Sequence, residues 1–190
     1  MRKILQLVVA AGVVAACSVV PSVGASPKAS APGSTFKNHG TSIVDTRTCN
    51  QSNGKPAGTI SYSGPKTMWP PNHKYATATI TTTEEDSGDQ MTVTTAGTHN
   101  QYDGDTEATG SGHTADDVNP ASQTAGPETG PIVQTVQMRS ERAGTIQDGR
   151  TYTITVDATF TDSDGDGSSE ASTSCEQQFT VTVPHDMGQN

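Results

Sequence analysis

Aromatic and basic residues are both scarce in this chain, and each shortage argues against a class of function. Of 190 residues, one is Trp, four are Tyr and three are Phe. A catalytic pocket usually has apolar and aromatic walls, so this composition argues against an enzyme. No serine-hydrolase elbow, zinc-protease pair or phosphate loop is present either. Lys and Arg total 11 against 20 acidic residues. Nucleic acid is therefore an unsuitable partner, since its backbone requires basic patches.

Cysteine is the third scarce residue, with three in the chain. Cys17 lies in an apolar N-terminal run, which leaves Cys49 and Cys175 as an even pair. In an oxidising compartment such a pair predicts a disulfide. Closing so long a loop is worth on the order of 4–5 kcal/mol in the chain-entropy model, a large contribution for a chain poor in large apolar residues.

The first 25 residues predict a secretory signal. Arg2 and Lys3 precede the apolar run Ile4–Val20, and Val23-Gly24-Ala25 forms a small-residue cleavage site. The run is shorter than the roughly 20 residues of a spanning helix, so no transmembrane span is predicted. Removal of residues 1–25 takes away two basic side chains and no acidic ones, and the formal charge then falls from −9 to −11.

A second processing site competes with simple secretion. Val14-Ala15-Ala16-Cys17 has the pattern of a bacterial lipoprotein box, which would anchor the protein at the cell surface through a lipid on Cys17. The chain stays apolar beyond Cys17, whereas a lipoprotein tether usually turns polar at once. This favours free secretion, and the lipid-anchored form remains the alternative.

Strict alternation of threonine with apolar residues predicts strands. From Tyr152 to Phe160 the even positions are Tyr, Ile, Val, Ala and Phe, and the odd ones are Thr with one Asp. Similar stretches occur at 59–62, 74–83, 91–93, 132–138 and 179–183. No helical period follows residue 25. The sequence therefore predicts an all-β fold, an immunoglobulin-like β-sandwich of about seven strands.

The predicted domain spans residues 58–187, between less regular segments. Residues 26–57 are rich in Ser, Pro, Gly and Asn and are expected to be a flexible leader, and 188–190 form a tail. Residues 97–131 are too long for an ordinary loop. They are either a disordered insertion, which their composition favours, or contain a short pair of strands.

The segment Met68-Trp69-Pro70-Pro71-Asn72-His73-Lys74 resembles the opening of a family of immunoglobulin-like modules in secreted bacterial proteins. These modules are similar in style to polycystic-kidney-disease and hyalin-repeat modules. Further similarity lies at Arg139–Gly144, Gly149–Thr155 and Val181–Asp186. The resemblance covers about residues 58–187 and implies an extracellular sandwich without established activity. The final loop is longer and more acidic here than is usual in the family.

Two acidic loops form the candidate metal site. Asp162, Asp164 and Asp166 alternate with small residues, and carboxylates so spaced suit a hard cation such as Ca²⁺. In this topology the loop that contains Glu84 and Asp86 is expected at the same end of the sandwich. The two loops are either a shared calcium site or a pair of solvated turns, since Asp and Gly also favour turns.

Trp69 is the only tryptophan and offers two alternatives. Since Pro70 and Pro71 stiffen the segment, Trp69 is expected to cap the end of the core. Alternatively, Trp69 stacks on a sugar ring while Asn72 and His73 bond its hydroxyls.

Two further clusters are weaker candidates. A zinc site built from His73, His99, His113 and His185 is disfavoured, because none are at helix-type spacing. A charged cluster of Arg139, Glu141 and Arg142 is expected to be structural.

The function that fits these features is a secreted, non-catalytic structural or adhesion module, with Ca²⁺ as its one candidate cofactor. A glycan-binding module that uses Trp69 is the alternative, and a small hydrolase is a distant third. We expect a monomer whose partner is a surface protein or a polysaccharide. The fold alone does not decide among these functions.

Overall fold

Nine strands make up the part of the chain that the computed structural model describes, residues 40–86, 88–101, 116–142, 144, 147–163 and 172–185. They are β1 (Thr41–Asn50), β2 (Pro56–Thr67), β3 (Tyr75–Glu84), β4 (Gln90–His99), β5 (Val118–Asn119), β6 (Ser122–Glu128), β7 (Ile132–Arg139), β8 (Arg150–Thr161) and β9 (Thr173–Val183). These residues contain no helix, and the all-β prediction is confirmed.

The alternation in sequence accounts for the strands. In β8 the side chains of Tyr152, Ile154 and Val156 are fully buried, and the threonines between them are partly exposed. Threonine is β-branched and suits a half-buried pleated surface. Each stretch predicted as a strand matches an observed one, namely β2, β3, β4, β7, β8 or β9, and Lys74 alone falls outside its strand.

The strands pair in the order β5-β7-β3-β2-β9-β8-β4-β6, and β1 pairs with β2. All pairings are antiparallel except the parallel contact of Thr67 with Thr182, which joins β2 to β9. This narrow junction divides the sheet into two halves, β1-β2-β3-β7-β5 and β9-β8-β4-β6, and the whole nearly closes into a barrel-like shape. The orders β2-β3-β7 and β9-β8-β4 are the A-B-E and G-F-C orders of an immunoglobulin sandwich.

The core lies between the two halves. The ring of Tyr62 in β2 stacks on that of Phe179 in β9, with centroids 5.1 Å apart. Farther across, Thr95 Oγ1 in β4 donates a hydrogen bond of 2.5 Å to Gln134 Oε1 in β7. Gln134 is itself buried, so a satisfied polar pair helps to hold the halves together at this point.

The predicted flexible leader over 26–57 is wrong for residues 41–50, which form β1. This strand pairs with β2 along its whole length, from Thr41 opposite Thr67 to Asn50 opposite Pro56. Its less exposed face carries Asp45 and Arg47. Charges at these positions break the apolar alternation, which is why the sequence gave no strand signal here.

The less exposed face of β1 contacts β9 through Arg47. The guanidinium of Arg47 is 4.7 Å from the ring centroid of Phe179, and its Nη1 donates to Gln177 Oε1 at 3.4 Å. β1 therefore pairs with β2 and also contacts β9 of the other half through Arg47.

The predicted flexible insertion over 97–131 also contains strands. β4 continues to His99, and both β5 and β6 lie farther along. β6 pairs with β4 at Thr124 opposite Thr94, and β5 pairs with β7. Two short strands thus lie in this stretch, although they pair with β7 and β4 and not with each other, and residues 102–115 lie outside the described residues. The signal is weak because β5 has two residues and β6 contains Gly126-Pro127.

Candidate functional sites at the two ends of the sheet

The candidate residues gather at opposite ends of the sheet. We call one the acidic end, defined by Glu84, Glu85, Asp86, Asp89 and Asp162. The other is the motif end, defined by 69–74, 139–142 and 149–152. β3 runs from the motif end to the acidic end, and β4 and β7 return. Residues distant in sequence are therefore neighbours at each end.

The described ends of the two acidic loops lie side by side. Gln90 at the start of β4 is opposite Thr161 at the end of β8, and Ser163 Oγ donates a hydrogen bond of 2.6 Å to Gly88 O. The prediction that they share one end is confirmed. Of the predicted calcium ligands, Glu84, Asp86 and Asp162 are among the described residues, whereas Asp164 and Asp166 lie outside them.

Glu84 is held by the turn before β7 and not by the acidic loops. Its Oε1 accepts a hydrogen bond of 2.6 Å from Gly130 N. Its Oε2 is buried and has no hydrogen-bond partner among the described residues. Glu84 therefore has one carboxylate oxygen engaged and one buried oxygen that a cation or a water molecule would satisfy.

A cavity of about 300 Å³ adjoins this end, with Glu85, Asp86 and Asp89 in its wall. Lys55 also lines it, so one positive charge already lies among the carboxylates. Glu84 is not among the lining residues. The described residues include no group of three or more His, Cys, Asp or Glu side chains arranged for a metal ion.

A buried ion network occupies the motif end. The carboxylate of Asp117 lies between two guanidinium groups, with Oδ2 paired to Arg150 Nη1 and Oδ1 at 3.3 Å from Arg139 Nε. Asp117 and Arg150 are each 1% exposed. Arg150 Nε also donates to Gln101 Oε1 at 3.2 Å, and Gln101 Nε2 donates to Gly149 O at 2.6 Å. Buried charges are stable only when paired and hydrogen-bonded in this way.

Glu141 extends the network to the Trp-Pro-Pro-Asn-His segment. Its Oε2 lies 3.3 Å from His73 Nδ1 and 3.8 Å from Arg139 Nε, and its side chain is 1% exposed. The guanidinium of Arg139 also lies 4.3 Å from the ring centroid of Tyr75. The expectation that Arg139, Glu141 and Arg142 form a structural cluster agrees with these contacts for Arg139 and Glu141. Arg142 Nε is buried without a hydrogen-bond partner among the described residues.

Backbone contacts close the same end. Ser140 Oγ donates to Pro70 O at 2.8 Å, and His73 N donates to Ser140 O at 3.0 Å. Tyr152 Oη donates to Arg139 O at 2.6 Å. Segments that are far apart in sequence, and that carry the family resemblance, thus meet in one place.

Sequence reasoning missed Asp117 and Gln101, the partners of Arg150. Both lie in the stretch 97–131, where no periodicity marks a buried position. The one signal that pointed to them was indirect, because Arg139 and Arg150 sit at strand ends next to apolar positions and would need acidic partners when buried.

Trp69 borders a groove of about 360 Å³ at the motif end. Trp69 is half-buried, and Asn72, Tyr75 and Thr77 contribute to the same groove. Asn72 Oδ1 accepts a hydrogen bond of 3.1 Å from Lys74 N, so its amide NH₂ remains available as a donor. His73, the third residue of the predicted glycan site, does not line the groove and is directed to Glu141.

The remaining predicted residues are accounted for as follows. Cys49 and Cys175 form the predicted disulfide, with Cα atoms 5.7 Å apart, near the acidic end. Cys17 and His113 lie outside the described residues. His99 packs edge-on against Tyr152, and the ring of His185 lies 3.1 Å from Gly144 O.

No protein-family model matches this chain, and no curated protein matches it significantly. In the described part of the chain, no helix has the length and apolar character needed to cross a bilayer. Arguments about function therefore depend on the two ends of the sheet and on its surfaces.

Proposed function

We propose that this protein is a secreted, non-catalytic structural or adhesion module, of the immunoglobulin-like type that its Trp-Pro-Pro-Asn-His-Lys segment resembles. The observation that carries the proposal is the burial of the charged groups at the motif end. Asp117, Glu141 and Arg150 are each 1% exposed and contact one another or Arg139. Groups that act on a substrate must reach it, whereas these are engaged in holding strands together.

The opposite end supports the same role in a different way. The Cys49–Cys175 disulfide ties β1 to β9 there, and a covalent tie of this kind is typical of proteins in oxidising, extracellular surroundings. A small domain fixed at both ends resists unfolding outside the cell. The signal over residues 1–25 is the route by which it would arrive there.

Calcium at the acidic end is part of this proposal. Its support is the contact between the two acidic loops through Ser163 and Gly88, together with the buried Oε2 of Glu84. An ion there would lower the repulsion between adjacent carboxylates and rigidify the end of the module.

The experiment for the main proposal is a binding assay on cells of the organism that makes the protein. Fluorescently labelled protein, produced through its own signal and purified in the oxidised form, is added to intact cells and to their isolated envelope. We expect saturable binding that is lost after denaturation and that consumes none of the cell-wall or matrix polymers. Release of soluble product from such a polymer, or the absence of saturable binding, would contradict the proposal.

A second candidate function is glycan binding through Trp69. The specific observation in its favour is the groove that Trp69 borders, into which the amide of Asn72 and the hydroxyl of Thr77 can donate. A half-buried indole next to polar donors is a common way to combine an apolar contact with hydrogen bonds. Quenching or enhancement of the single Trp fluorescence by added saccharide tests it. A spectrum that no saccharide changes would count against it.

A further inference from the structure

The outer surface of β1, β2, β3 and β7 carries no charged residue in its central rows. One row across the four strands reads Thr46, Ser61, Thr81 and Val133, and the next reads Val44, Ser63, Thr79 and Thr135. Thr48, Thr59 and Thr83 extend it toward the acidic end, and Thr77 with Gln137 extends it toward the motif end. We call these residues the threonine face.

The opposite outer surface differs in carrying charge in one of its central rows. On the outer surface of the other half, Thr94, Asp157 and Glu176 occupy adjacent positions of one row, so two carboxylates lie at its centre. The chain as a whole has a formal charge of −9. An uncharged face on so acidic a protein is suited to a partner without charge, because a polyanion would be repelled by the rest of the molecule.

The threonine face continues into the groove beside Trp69. Thr77 lines the groove, as do Ser42 and Pro65, which oppose each other at the ends of β1 and β2. Lys74 is the one charged residue in that lining. An extended polymer bound in the groove beside Trp69 can therefore continue onto the threonine face without passing a carboxylate.

The chemistry of the face fits sugar rings. Hydroxyl groups pair across the strands, Thr46 with Ser61 at 2.9 Å and Thr59 with Thr83 at 2.8 Å. Each hydroxyl has one donor and two acceptor sites, so each pair keeps further capacity for a ligand hydroxyl. Val44 is 72% exposed and Val133 is 61% exposed, and both offer apolar contact to the C–H faces of a sugar.

The dimensions favour a polymer over a second copy of this chain. Strands lie about 4.8 Å apart and side chains on one face repeat about every 6.7 Å, so the face measures roughly 14 by 20 Å. Such an area is well below the roughly 800 Å² that each partner contributes to a stable protein interface. A surface of this size is sufficient for a narrow polymer.

We propose that the Trp69 groove and the threonine face form one continuous binding surface for an extended, uncharged polysaccharide. This inference rests on the second candidate function, glycan binding at Trp69, and adds to it the chemical class of the ligand and a second contact region. The groove would bind one part of the polysaccharide, and the threonine face would bind the sugars that follow it.

A matched pair of substitutions tests the inference. Thr79→Asp puts a carboxylate between Ser63 and Thr135 on the threonine face, whereas Thr153→Asp puts one between Thr98 and Thr180 on the opposite face. Both sites lie within their strands and are half-buried, so the cost in stability should be similar, and thermal melts check this. Trp69→Phe and Asn72→Ala alter the groove alone.

The probes are insoluble cellulose, chitin and mannan, in co-sedimentation with the mature oxidised protein, and soluble polygalacturonate is the charged comparison, added as a competitor. We expect binding to at least one neutral polymer and no displacement by polygalacturonate. Thr79→Asp should weaken it by about fivefold or more, on the order of one lost hydrogen bond, and Thr153→Asp should leave it unchanged. The groove variants should weaken it too.

The outcomes separate the two proposals. If the groove variants lose binding and Thr79→Asp does not, the glycan site stands and the threonine face is not part of it. If no neutral polymer binds, both proposals are overturned. If Thr79→Asp changes only the sedimentation coefficient of the protein itself, the face is a self-association surface and the inference is wrong.

Discussion

Asp117 and Arg150 form an ion pair in which each side chain is only 1% exposed. The second oxygen of the same carboxylate lies 3.3 Å from Arg139 Nε. Arg139 ends β7 in one half of the sheet, and Arg150 begins β8 in the other. One buried carboxylate therefore contacts a guanidinium group from each half and joins the halves at the motif end, and Glu141 supplies a second negative charge beside Arg139.

Replacing Asp117 should destabilise the fold strongly. Asp117→Asn removes the negative charge and leaves the buried guanidinium of Arg150 uncompensated, at a cost of about 3–5 kcal/mol in the free energy of unfolding. Urea unfolding measures this. Asp116→Asn is the matched control, because Asp116 is exposed and Asn tolerates its positive φ of 62°. Equal stability of the two variants would show that the pair contributes little.

Removing the disulfide should loosen β1 before the rest of the sheet. A Cys49→Ser/Cys175→Ser variant is expected to lose about 2–5 kcal/mol. Since backbone pairing of β1 is with β2, amide hydrogen exchange should rise most over Thr41–Asn50. Reductant should lower the melting temperature of the wild type and leave that of the double variant unchanged. A wild type that reductant does not affect would contradict this account.

Tyr62 should make the fold sensitive to alkali. Burial raises the pKa of Tyr62 above its ordinary value of 10.0, and its hydroxyl donates to Pro65 O at 2.5 Å. Above that pH the unfolded chain loses the phenol proton while the folded chain keeps it. The free energy of unfolding therefore falls as pH rises, by up to about 1.4 kcal/mol per pH unit.

The check is urea unfolding from about pH 9 to about pH 11 for the wild type and for Tyr62→Phe. The variant loses the hydrogen bond to Pro65 but has no proton to lose, so its stability should fall less steeply with pH. Parallel slopes for the two proteins would rule out Tyr62 as the cause.

Calcium should raise the melting temperature if the acidic end binds it. Ligand that binds only the folded state stabilises it in proportion to the logarithm of its concentration, so a titration against a chelator-treated sample is informative. Asp162→Asn should reduce the rise, and Asp157→Asn, on the outer face of β8, should not. An unchanged melt at millimolar calcium would identify both loops as solvated turns.

Alternation in sequence predicted six of the strands because each has one dry face and one wet face. β1 escaped prediction since Asp45 and Arg47 interrupt its apolar alternation, and the contacts of Arg47 with Phe179 and Gln177 involve a distant strand. β6 escaped because its partner β4, and not its own composition, makes it a strand. The candidate sites also differed in how far the sequence predicted them. Trp69 and the acidic loops were predicted from the sequence, and Asp117 was not.

The sequence by itself determined the all-β class, the disulfide and the position of the acidic loops at one end, because these follow from periodicity, cysteine count and loop order. Only the tertiary structure decided which charges are buried together and which surface is free of them. Burial of Arg150 depends on Asp117 and Gln101, more than 30 residues away. The threonine face exists because strand register places uncharged residues from four strands side by side.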